Sequence, residues 1–274
     1  MLAARVASAL VLAPLTLYAT WRGGGVYVLV VAAAAALGAF ELCRLFEKGG
    51  FRPAWPLALA GAAALAAAPA APDAHLGGLA AALLVLGPGI YLLAEGAPVQ
   101  RALYDWSQTT FAGLVVGWPL AQAVALRWAA GEARLWGTMA ERGVLLALVA
   151  LTCTWASDTV AYAVGRLVGR RPFFPLISPR KSVEGAVGGV VAPAGVGLAW
   201  AGALGWPAAF AVVLGASVGV AAICGDLLES MLKRSVGAKD SGALIPGHGG
   251  LLDRIDGLLL ALVAVALLTG EAWP

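Results

Sequence analysis

Apolar residues in this chain do not alternate with polar ones. They run on in stretches of roughly twenty residues, the length of one helical crossing of a bilayer. Nine such stretches are readable, at 4–21, 25–46, 55–72, 76–94, 108–128, 143–165, 184–203, 207–229 and 254–271. The third is bracketed by Pro53, Pro56, Pro69 and Pro72, and if it fails to cross the count becomes eight. The pattern predicts an all-α, polytopic membrane protein. It divides into an N-terminal set of helices, 1–142, and a C-terminal set, 143–274, that carries the polar motifs.

Composition agrees with the pattern. Of the 274 residues, 61% are hydrophobic and only 12% charged, about half the charge of a soluble domain. The opening segment, with Arg5 ahead of an apolar run, has some features of a secretory signal. A second span follows at once, so it reads as the first transmembrane helix. Cys43, Cys153 and Cys224 are widely spaced and odd in number, which predicts buried small apolar residues and no disulfide framework.

The basic residues orient the chain. With nine spans and an inner N-terminus, only Arg22, Arg127, Arg134 and Arg142 of the 18 Lys and Arg fall outside. That is the asymmetry of the positive-inside rule. It places the loops after the sixth and eighth spans on the cytoplasmic face of a cell's inner (plasma) membrane. There is no GxxxxGK[ST] loop, HExxH or Rossmann context, and no nucleic-acid partner is expected.

Three polar groups interrupt the apolar background. Asp158 lies inside the sixth span, where a carboxylate must pair, bind a cation or be protonated. Ser178-Pro-Arg-Lys181-Ser182-Val-Glu184-Gly185 enters the seventh span. Its hydroxyls are N-cap candidates, and the same helix start with two cations suits an anion. The third group starts at Asp226. Ser230 and Lys233 follow it at i+4 and i+7, with Glu229 near the same face. A glycine-rich loop comes next, and Asp253 and Asp256 then open the last span at i and i+3. Carboxylates beside lysines and arginines suit a hard cation such as Mg²⁺ shared with substrate phosphates. A patch that only attracts anionic membrane lipids would gain nothing from the aspartates. The lone His248 makes zinc a poor fit. A transporter with intramembrane charges along a path remains open on this reading, as does another lipid–nucleotide enzyme.

Ser230-Met-Leu-Lys233-Arg234, then Lys239-Asp240, then Ile245-Pro-Gly-His248-Gly249-Gly250-Leu-Leu-Asp253-Arg254-Ile-Asp256 resembles the signature of phosphatidate cytidylyltransferases without departure. The 178–185 segment is similar to a second block of that family, in which the position of Ser182 is usually Thr. The resemblance is strongest over 150–260. It implies transfer of CMP from CTP to phosphatidate, with CDP-diacylglycerol and pyrophosphate as products. It further implies dependence on Mg²⁺, a second cation (K⁺), and a homodimer embedded in membrane lipids. Asp226 and Asp253 match the family's metal-binding aspartates, and Asp256 is grouped with them. Ser230, Lys233 and Arg234 match catalytic or phosphate-binding positions, and Lys181 and Asp158 are placed with them. Ser178, Ser182, Lys239, His248, Gly249, Gly250 and Arg254 are expected at the substrate. The DGxxAR motif of CDP-alcohol phosphotransferases is absent from the chain.

Overall fold

The computed structural model describes residues 2–71, 75–135, 137–242, 244–245 and 249–273, with side chains from Leu10 onward. All nine expected segments are helical. In chain order the helices are α1 (Leu2–Arg22), α2 (Gly24–Lys48), α3 (Trp55–Ala67), α4 (Leu76–Val85), α5 (Gly87–Ala94), α6 (Val99–Trp128), α7 (Arg142–Val168), α8 (Val183–Leu204), α9 (Ala208–Ser235) and α10 (Leu252–Thr269). The fourth segment is split into α4 and α5, bent by 42° at Leu86. Among the described residues, α2, α6, α7, α8 and α9 are long and apolar enough to cross a membrane, and a sixth span results if α4 and α5 count as one. The proline-bracketed third segment gives a helix of only 13 residues and one 3₁₀ turn.

The all-helical expectation is exceeded at two points. β1 (Glu132–Leu135) pairs with β2 (Thr138–Glu141), and β3 (Pro172–Phe174) pairs with β4 (Ser178–Ser182), both antiparallel. Cys43 and Cys153 are buried as expected, whereas Cys224 is exposed on α9, and all three thiols are free. For Cys224, apolar surroundings in sequence did not translate into burial.

Two compact units make up the chain. One comprises Met1–Ala125 with Lys233–Arg254, the other Leu126–Leu232 with Ile255–Pro274. In the first, polar side chains of α6 satisfy backbone groups that helix ends leave unpaired. Asp105 Oδ1 accepts from the Arg52 N–H at 2.7 Å, and Thr109 Oγ1 accepts from Ala54 N–H at 2.8 Å. Trp106 Nε1 and Thr110 Oγ1 donate to the carbonyls of Val85 and Leu84, each at 2.6 Å. These α6 polar residues serve the turns around them.

In the second unit, small residues bring helices into backbone contact, the usual solution where lipid removes the hydrophobic drive between helices. A Cβ at Gly215 of α9 would run into the Pro193 carbonyl of α8, and one at Gly197 of α8 into the Ala211 carbonyl of α9. A Cβ at Gly225 would meet the Asp256 carbonyl of α10. By contrast, Gly195 faces open space. Gly215→Val is expected to destabilise the protein by about 1–3 kcal/mol through overpacking, read as a lower melting temperature in detergent. Gly195→Ala, in open space within α8, should keep that temperature or raise it slightly.

Candidate active site

Ser182 ends β4 and caps α8. Its backbone is extended, and its Oγ accepts the Gly185 N–H at 3.1 Å. Glu184, in the first turn of α8, accepts the N–H groups of Arg170 at 3.0 Å and Arg171 at 3.3 Å, which ties the end of α7 to the start of α8. This fixed hairpin delivers Lys181. Its Nζ stands 2.6 Å from Asp226 Oδ2 on α9, while Ser230 Oγ donates to Asp226 Oδ1 at 3.3 Å. Asp226 is therefore held on both oxygens. Ser178 pairs with Phe174 at the other end of the hairpin, and Arg180 is exposed.

The same unit concentrates negative charge. Asp226, Glu229 and Asp158 all lie within Coulombic reach of Asp256. Glu229 is buried and Asp158 exposed. Lys181 is paired with Asp226 within this group. Among the described residues, no three His, Cys, Asp or Glu side chains stand ready as a metal cage. The donors are hard carboxylate oxygens, and Mg²⁺ takes one or two of these together with substrate phosphates. The set fits that ion and offers nothing suited to zinc.

In the other unit Asp253 is enclosed by donors. Lys233 Nζ lies 2.6 Å from Oδ1. Oδ2 accepts from Ser241 N at 3.1 Å, Ser241 Oγ at 2.9 Å and Gly250 N at 2.8 Å. The reach back to Gly250 ties the chain just before α10 to its first turn. Burial disfavours the charged form, yet Lys233, Gly250 and Ser241 hold this carboxyl below the ordinary aspartate range. A Cβ at Gly249 would stand 2.7 Å from Asp253 Oδ2, and one at Gly250 would collide with Ser241 Oγ. The space these glycines spare is thus occupied by the protein's own polar atoms. Arg234 donates to the Ala238 carbonyl at 2.9 Å. Lys239 lines a cleft of about 880 Å³ with Arg44 and Lys48. Arg254 is exposed, and His248 lies outside the described residues.

The match to the cytidylyltransferase family model runs over residues 3–270. The chain belongs to that family. A phosphatidate cytidylyltransferase of Pseudomonas aeruginosa is 36% identical over an alignment of 287 residues covering 100% of this chain and 99% of the relative. One of Synechocystis is 47% identical over 116 residues, 42% of this chain. An uncharacterised Escherichia coli protein, YnbB, is 40% identical over 185 residues, 65% of this chain. The chain spans 39% of the Synechocystis relative's length and 57% of the Escherichia coli relative's.

Within this family member, the expected residues divide between the two units. Lys181, Ser230, Asp226, Asp158 and Asp256 fall in one, and Lys233, Arg234, Lys239, Gly249, Gly250, Asp253 and Arg254 in the other. The helical stripe read from Asp226 is half realised. Ser230 turns to Asp226, whereas Lys233 turns to Asp253. One participant was missed in the motifs altogether. Glu41 of α2 is 2% exposed and accepts from Leu251 N at 3.0 Å and Leu252 N at 2.7 Å. The signal for it was present, since it is a lone carboxylate inside an apolar run.

The side chains of Lys233 and Asp253 are only 10% and 7% exposed. Removing one partner of such a pair strands the other charge. Lys233→Met is expected to cost about 3 kcal/mol, and Lys233→Met with Asp253→Asn should recover much of that loss. A double-mutant cycle in detergent unfolding reads the coupling, and additive effects would contradict it.

Proposed function

We propose that this chain is a phosphatidate cytidylyltransferase working at the cytoplasmic face of a bacterial inner membrane. CTP and phosphatidate would be its substrates, and CDP-diacylglycerol and pyrophosphate its products. The observation that carries this reading is the Lys181–Asp226–Ser230 group, which joins the two motif blocks in one place. A relative bearing that enzyme name, aligned over the whole chain length, supports it.

The reaction needs no protein nucleophile. A phosphatidate oxygen forms a bond to the α-phosphorus of CTP, the α–β bridging bond breaks, and pyrophosphate leaves with that electron pair. Catalysis then consists of positioning and charge neutralisation. Lys181, Lys233 and Arg234 are assigned to substrate and leaving phosphates, with Ser230 orienting Asp226. Ser178, Ser182, Lys239, His248, Gly249, Gly250 and Arg254 are assigned to substrate binding. Mg²⁺, when bound, would neutralise phosphate charge. Asp226 and Asp256 are the carboxylates offered to it in one unit and Asp253 in the other, with K⁺ as the second cation. Lys233 must move off Asp253 Oδ1 before that oxygen is available. A homodimer in membrane lipid completes the proposal.

Purified protein given CTP, phosphatidate and Mg²⁺ should release pyrophosphate and form CDP-diacylglycerol. Transfer of labelled phosphate instead of labelled CMP would overturn the assignment. Asp226→Asn keeps an oxygen facing the buried Lys181 Nζ, and it is expected to lower turnover by at least about a hundredfold while the protein keeps the wild-type elution profile in detergent. Near-normal turnover in that variant would sink the role given to Asp226.

A further inference from the structure

We infer that Glu41 is a positioning residue, which holds the first turn of α10 and the Ser241 loop so that Asp253 is presented to Lys233. The inference deepens the proposed function and rests on the Lys233–Asp253 pair taking part in it.

A carboxylate in an apolar helix is costly unless its charge is met. Glu41 is met by backbone, at a distance of 211 residues along the chain. The opening N–H groups of a helix have no partner within it, and Glu41 takes two of them, Leu251 on Oε1 and Leu252 on Oε2. Its negative charge also sits at the positive end of the α10 dipole. Ser241 links the two carboxylates. Its hydroxyl is 2.9 Å from Asp253 Oδ2 and 3.4 Å from Glu41 Oε2. One hydroxyl proton serves one acceptor well, and the shorter distance assigns it to Asp253. The loop is shaped around Glu41, since a Cβ at Gly242 would stand 2.7 Å from its Oε1 and one at Gly250 would crowd its Oε2. Glu41 touches neither Lys233 nor Asp253 through any described hydrogen bond, so its influence passes through the turn that bears Asp253.

Glu41→Gln keeps the size but loses one acceptor, leaving a buried N–H facing an NH₂ group. Glu41→Asp keeps the charge but is one methylene too short to reach both N–H groups. Both variants are expected to keep the wild-type elution profile in detergent. Their kcat should fall roughly ten- to hundredfold, with the KM for CTP within about threefold of wild type. Hydrogen exchange of amides 241–252 should accelerate at least about tenfold, while that of α7 and α8 stays unchanged. Wild-type kcat and exchange in either folded variant would overturn the inference. So would a loss of kcat with unchanged exchange of the loop, or collapse of both variants, which would make Glu41 purely structural. Wild-type protein that forms no CDP-diacylglycerol would defeat the proposed function instead, because the exchange arm needs no substrate.

Discussion

A charge inside an apolar, membrane-type helical chain stands only where other groups meet it, and that requirement organises the Asp253, Glu41 and Asp226 groups of this protein. Asp253 is surrounded by an ammonium, two backbone N–H groups and a hydroxyl. Glu41 is met by the open end of a helix. Asp226 is held between Lys181 and Ser230. Arg127 and Arg142 follow the same rule, paired with Glu141 and Glu271. The polar atoms form small closed groups, each anchored to a helix end or a tight turn.

Such groups need close backbones, and glycine supplies them. Gly225 lets α9 approach the Asp256 carbonyl of α10, next to Asp226 in sequence. Gly242 and Gly250 leave room for the Glu41 carboxylate. Glycine has two roles in this chain, helix packing in the apolar regions and admission of polar side chains in the motif loop. The second role differs from the approach to phosphate that a glycine-rich loop suggests by itself. The groups that fill the spared space are Asp253, Ser241 and Glu41.

In one unit Asp226 is met by Lys181 and Ser230, and Asp256 lies within Coulombic reach of Asp226, Glu229 and Asp158. The Asp253 clasp is internally balanced by Lys233.

Much was legible in the sequence alone. Apolar runs mark where the helices fall, because burying backbone polar groups in lipid leaves few alternatives to the helix. The charge cluster and its spacing disclose the family, and the i, i+4 relation of Asp226 and Ser230 survives because it is a property of one helix. The partners of Lys233, Lys181 and Glu41 were decided only by tertiary structure. Helical periodicity reaches one or two turns, whereas each of these side chains takes its partner from another element, Lys233 from α10, Lys181 from α9 and Glu41 from the start of α10. Which donor meets which buried carboxylate depends on how helices pack, and that packing is set by contacts too distant in the chain for any local pattern to record.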